Sequence, residues 1–261
     1  MNIAFPYLPE RPAKPREEGL TMMMDKGLSL AEAENFVSSA GSFTDLVKFG
    51  FGTAVFAPYL REKIALYKSA GLKPYFGGTL FEAFVIRGMF DAYRKVLDDF
   101  GLDTAEVSDG SMKIEHDQKM EYIRILSGQV TVLSEVGSKV AGVEIPNEEW
   151  VKQMQTELSA GAWKVIAEAR ESGTSGIYHS DASANKELIT QIIQKVGANK
   201  VLWEAPNKPQ QVYFIHLLGA NVNLGNIATQ EVVALEALRL GLRGDTFFSW
   251  LPAEMQSLKQ K

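Results

Sequence analysis

The chain has 261 residues, 46% hydrophobic and 23% charged, with a formal net charge of −5 and no cysteine. That length buries a large core without covalent staples, and the lack of cysteine excludes disulfides and thiolate metal sites. A mildly acidic balance argues against a nucleic-acid binder, which carries a basic stripe, and no apolar run approaches the roughly 18 residues of a membrane span.

The opening Met1-Asn2-Ile3-Ala4-Phe5-Pro6 lacks the basic region and long apolar run of a signal peptide, so the expected location is the cytoplasm. The first strand-like run covers 20–24 and leads into Met24-Asp25-Lys26-Gly27, without the glycine fingerprint that opens a dinucleotide-binding sheet. Ser29 and Glu32 have capping-box spacing before the helical stripe Ala33, Phe36, Val37, Ala40. Glycine then punctuates the chain. Amphipathic segments end at Gly41, Gly71, Gly101, Gly128, Gly161, Gly197 and Gly219, where glycine suits the left-handed position past a helix. After each comes a short apolar run, at 45–49, 74–77, 104–108, 131–136, 164–169, 200–205 and 222–224. Asn147, Asn185 and Thr229 are N-cap residue types in front of later helical stripes. Eight strands alternating with eight helices predict an α/β fold, a single (β/α)8 TIM barrel with a parallel eight-stranded sheet. It spans 1–248 with a short N-terminal arm, and 249–261 form a C-terminal extension.

In such a barrel the reactive side chains sit at the C-terminal ends of the strands and in the loops that follow. Four successive strands each carry one glutamate in apolar sequence: Glu106, Glu135, Glu168 and Glu204. Buried carboxylates need partners, and Lys48, Lys139 and Arg170 stand at comparable height. A divalent cation with oxygen ligands is another candidate partner, and a purely structural set of ion pairs is the bland alternative. The stretch from Arg170 through Ser172 to Gly176 is rich in Gly, Ser and Thr, and its amides suit an anion nest. Asn207, Lys208, Asn223 and Asn226 follow or end the last two strands, where this fold often holds phosphate. Arg16 in Lys14-Pro15-Arg16 reads equally as a solvated basic arm or a substrate contact. His116, His179 and His216 show no ligand spacing, and His216, among apolar neighbours, is expected to pack.

Several strings stand in order along the chain: Lys14-Pro15-Arg16, Val47-Lys48-Phe49-Gly50, Gly77-Gly78-Thr79-Leu80-Phe81-Glu82, Glu106-Val107-Ser108-Asp109-Gly110 and Ser134-Glu135-Val136-Gly137-Ser138-Lys139. Further along come Glu168-Ala169-Arg170-Glu171-Ser172-Gly173, Glu204-Ala205-Pro206-Asn207-Lys208, Asn221-Val222-Asn223-Leu224-Gly225-Asn226 and Leu242-Arg243-Gly244-Asp245-Thr246. Together these strings resemble the phosphosulfolactate synthase family. The resemblance implies a lyase that uses Mg2+ to add sulfite to C3 of phosphoenolpyruvate, giving (2R)-phospho-3-sulfolactate for coenzyme M or sulfolactate synthesis. It implies Lys139 as the acid that protonates C2 and a subset of Glu106, Glu135, Glu168 and Glu204 as metal ligands. Lys48 and Arg170 are then expected to bind phosphate or sulfite, with Ser172, Asn207, Lys208, Asn223, Asn226 and Arg16 as further substrate contacts. Two other readings stay open at this point: another Mg2+-dependent barrel lyase that stabilises an enolate, and a non-catalytic role like that of heat-stress-linked plant relatives. A homo-oligomer built through helical faces is also open.

Overall fold

The computed structural model describes residues 3–138, 145–170 and 172–259. Lys139 and Glu171 lie outside the described residues. The strands are β1 (Thr21–Asp25), β2 (Leu46–Phe49), β3 (Lys73–Phe76), β4 (Thr104–Val107), β5 (Thr131–Val136), β6 (Lys164–Ala167), β7 (Val201–Glu204) and β8 (Leu224–Ala228). They form one parallel sheet in the order β3-β2-β1-β8-β7-β6-β5-β4. Its two ends, β3 and β4, pack side by side and bring the sheet round into a barrel. The expected fold is therefore the observed one.

The helices are α1 (Leu30–Ala40), α2 (Leu60–Ser69), α3 (Gly78–Val85), α4 (Phe90–Asp99), α5 (His116–Ser127), α6 (Asn147–Ser159), α7 (Lys186–Lys195), α8 (Lys208–Leu218) and α9 (Val232–Arg239). The Ser29–Glu32 capping box opens α1 as expected. Two helices, not one, connect β3 to β4, because the chain turns at Gly88 with φ +67°. The eighth strand begins where the expected run ended. Gly225 and Asn226 are poor strand formers, yet pairing with β1 and β7 draws them into the sheet. His216 is exposed near the end of α8 instead of packed.

Strand alternation sorts the side chains. Leu46, Leu133, Ile166 and Leu202 point into the barrel and form an apolar layer with Leu20, Met22, Met24 and Tyr75. Val47, Val136, Ala167 and Trp203 belong instead to the larger core between sheet and helices. Two residues after each inward leucine or isoleucine the same face is reached again. There the inner layer turns polar, with Lys48, Glu135, Glu168 and Glu204.

The N-terminal end of the barrel is closed by the arm. Arg16 forks onto Asp45, just before β2, with both bonds at 2.9 Å. Lys14 donates to the carbonyls of Gly41 and Thr44. Arg11 pairs with Glu236 at 3.0 Å, and the indole of Trp163 donates to Glu17 at 2.7 Å. Beneath them Arg239, fully buried, donates to the carbonyls of Ala220, Val222 and Leu20. Trp250 in the C-terminal extension donates to the carbonyl of Arg239 at 2.9 Å and ties that segment to the barrel.

A buried ion pair outside the barrel holds the end of β5. Lys119 on α5 donates to Glu157 on α6 at 2.9 Å, to Asp109 at 2.8 Å and to the backbone carbonyl of Glu135 at 2.7 Å. Burial would pull this lysine down, but Glu157 and Asp109 outweigh it and its pKa is pushed up to about 12. Lys119→Met leaves the Glu157 carboxylate buried without its cation, and removing one partner of such a pair costs about 3–5 kcal/mol. Urea unfolding should show that loss, and Glu157→Leu in the same chain should recover most of it.

Candidate active site

At the C-terminal end of the barrel one ammonium stands among carboxylates. Lys48 Nζ lies 2.9 Å from Glu106 Oε1, 3.1 Å from Glu135 Oε2 and 3.7 Å from Glu204 Oε1. All four side chains are buried. Burial alone would depress the lysine, but the joint field of Glu106, Glu135 and Glu204 holds its pKa well above the ordinary value. It is therefore a cation at any working pH. Glu204 shows the converse. Burial raises it, Lys48 lowers it and Glu135 raises it again, so its pKa is pushed up to about 7.

Neighbouring groups fix the carboxylates. Glu106 Oε1 accepts from the amide of Gly78 at 2.5 Å, across the seam between β3 and β4. A side chain at position 78 would meet Ser108 and Glu106, since an added Cβ would lie 2.3 Å from Ser108 Cβ. The Ser108 hydroxyl lies 2.5 Å from Glu82 on α3 and 2.9 Å from Glu135 Oε1, and Glu82 also accepts from the Ser111 amide at 2.9 Å. Glu204 Oε2 accepts from the amide of Ala169 at 2.8 Å. Glu82 and Ser108 stand within the strings that carry the family resemblance, although neither is assigned a role there.

Above this floor lies a cavity of about 370 Å3, lined by Lys48, Glu135, Glu168 and Glu204 and by Arg170, Ser172, Asn226, Met24, Phe51 and Thr79 among others. Arg170 and Ser172 are exposed at its mouth. Asn226 takes a left-handed backbone with φ 57° and donates to the carbonyl of Ala169 at 3.1 Å. The loop after β6 is held down. Gly176 passes so close to the carbonyl of Glu168 that no side chain fits, and its φ of +69° favours glycine as well.

Seven described candidates thus meet at the cavity wall: Lys48, Glu135, Glu168, Glu204, Arg170, Ser172 and Asn226. Glu106 stands behind, against Lys48. Four others are placed differently. Asn207 caps α8 and braces the loop by donating to the carbonyl of Ser172 at 3.0 Å. Lys208 is directed at Asp245, 3.0 Å away. Asn223 precedes β8, accepts from the Leu20 amide and donates to the carbonyls of Asn199 and Val201, all at the N-terminal end. Arg16 lies at that same end on Asp45. Arg16 and Asn223 are thus not brought to the cavity, because each satisfies polar groups where the strands begin.

The carboxylates also divide. One oxygen each from Glu135, Glu168 and Glu204 lie within 4.8 Å of one another. A buried set of oxygen donors fits a hard divalent cation such as Mg2+, which takes carboxylate and water ligands. Lys48 lies 3.1 Å from Glu135 and 3.7 Å from Glu204, so a cation held there would share those two acids with the ammonium, while Glu106 holds the lysine from the other side.

Residues 9–245 match the (2R)-phospho-3-sulfolactate synthase (ComA) family. The chain is 41% identical to the phosphosulfolactate synthase of Bacillus subtilis (strain 168), over 95% of this chain and 100% of that one. It is 38% identical to the phosphosulfolactate synthase of Methanothermobacter thermautotrophicus, over 93% and 97%. It is 40% identical to that of Methanocaldococcus jannaschii, over 88% and 94%. No helix among the described residues is long and apolar enough to cross a membrane. With a family match over residues 9–245 and relatives of 38–41% identity over most of the chain, this protein belongs to the phosphosulfolactate synthase family of enzymes.

Proposed function

We propose that this enzyme adds sulfite to C3 of phosphoenolpyruvate, with Mg2+ as cofactor, giving (2R)-phospho-3-sulfolactate. The observation that carries the proposal is the convergence of Glu135, Glu168 and Glu204 beside a permanently charged Lys48 at the floor of the cavity. A cavity of about 370 Å3 accommodates a small trianion and a second small anion together.

In the proposed reaction the sulfur lone pair of sulfite forms the bond to C3. The C2–C3 π pair moves toward the substrate carboxylate, and C2 then takes a proton. No group leaves, so phosphate stays on the product. Bound Mg2+ would supply Lewis-acid stabilisation of the charge that builds on the carboxylate. Lys48 adds a fixed positive charge on the same side, already desolvated and oriented by Glu106. Arg170, at the mouth, matches a phosphate or sulfite by its planar fork, and Ser172 beside it offers a hydroxyl. Lys139 is proposed as the acid that protonates C2.

Purified protein incubated anaerobically with phosphoenolpyruvate, sulfite and Mg2+ should form phosphosulfolactate, followed by mass spectrometry. Lys139→Ala should abolish product while its circular dichroism and melting stay those of the parent. Wild-type turnover in that variant removes Lys139 from the mechanism, and no product from folded parent protein sinks the reading as a whole.

Metal binding should depend on pH through Glu204. A ligand must be deprotonated to bind a cation, and this carboxyl is pushed up to about 7. Proton competition therefore weakens binding below pH 7 and fades above it. Titration with Mn2+, read by electron paramagnetic resonance, should show affinity rising between about pH 6 and 8. Glu204→Gln should bind at least about tenfold more weakly and lose most of that slope. An unchanged slope would place the titrating group elsewhere.

A further inference from the structure

Tyr75 stands opposite Lys48 in the register of β3 and β2. Its ring is fully buried in the inner apolar layer with Leu46, Leu133 and Ile166. Its hydroxyl is buried as well and has no hydrogen-bond partner among the described residues. Such a group costs stability, and phenylalanine would fill the same space without that cost. The phenol lies in the field of Glu106, Lys48, Glu204 and Glu135, and burial raises its pKa far above the ordinary value. It is therefore a neutral donor beneath a set of carboxylates.

We propose that Tyr75 is a positioning residue whose hydroxyl donates to the carboxylate oxygens that Lys48 releases when the ammonium turns toward an anionic substrate. The inference rests on the reading of Lys48 as a substrate-binding cation. In the free protein the Lys48 ammonium lies 2.9 Å from Glu106 and 3.1 Å from Glu135, with Glu204 3.7 Å away. Movement of the ammonium toward a substrate anion lengthens its close contacts with Glu106 and Glu135. The carboxylate left behind loses a donor in a poorly solvated interior, which raises the energy of the bound state. A second lysine at position 75 would cure this but would also hold the carboxylates permanently. A neutral hydroxyl supplies a donor on demand and leaves Lys48 dominant in the free protein.

The test uses the full chain carrying Tyr75→Phe, with melting measured with and without phosphoenolpyruvate and Mg2+, and steady-state kinetics with phosphoenolpyruvate and sulfite. The free variant should melt at the parent's temperature or higher. Its phosphoenolpyruvate-dependent rise should be smaller than the parent's, and kcat/KM should fall about tenfold, the effect of one hydrogen bond made only in the bound state. A variant that melts lower when free shows that the hydroxyl was already bonded, and overturns the proposal. So does a variant with the parent's ligand shift and kinetics. A parent that binds phosphoenolpyruvate without using sulfite fails the synthase reading alone, and the ligand shift still decides the role of Tyr75. A parent that does neither removes both.

Discussion

The ammonium of Lys48 is the interaction on which this site depends. Three carboxylates approach it from β4, β5 and β7, all in the barrel interior. Carboxylates so placed repel one another and lack water to solvate them, so the arrangement stands only while a cation is held among them. The cost is visible in Glu204, which one lysine does not keep fully acidic. The geometry of the whole upper layer follows. Each strand contributes an inward residue at the same height because alternation repeats every second residue, and β2 supplies the positive member of the ring.

The ring also helps to close the barrel. Its seam lies between β3 and β4, the two ends of the strand order. Glu106 on β4 reaches across to the amide that opens α3, and Glu82 on α3 reaches back to Ser108 after β4. The same carboxylate thus orients Lys48 and pins the seam. At the other end of the barrel the demands differ. There Arg16, Asn223 and Arg239 satisfy buried carboxyl and carbonyl groups where the strands begin, and the apolar layer with Trp163 separates them from the chemistry.

These two ends explain what could be read from the sequence. The strand–helix alternation and the inward glutamates were legible because period-two burial and glycine stops are local signals. The glutamates stood out because nothing apolar explains a carboxylate in Ala105-Glu106-Val107 or Trp203-Glu204-Ala205. Asn223 and Arg16 were misplaced because polar residues flank a strand at both ends, and only register decides which end they face. The starting point of β8 lay hidden in Gly225 and Asn226, whose strand conformation is imposed by two neighbours and not by propensity. Lys208 and Asn207 follow β7 as site residues do, but a cap and an exposed ion pair claim them. Tyr75 gave no signal at all, since a tyrosine in an apolar run reads as core until its hydroxyl is seen to lack a partner.

The charge balance of the ring bears on what it holds. Lys48 lies within 4 Å of the carboxylates of Glu106, Glu135 and Glu204, and Glu168 adds a fourth acid at the cavity wall. One oxygen each from Glu135, Glu168 and Glu204 converge within 4.8 Å on the cavity side, while Glu106 holds the lysine from the seam side. Under the proposed function, that division would let a divalent cation enter without expelling the ammonium. The charge of a bound cation would then offset the burial and the repulsion from Glu135 that together raise Glu204.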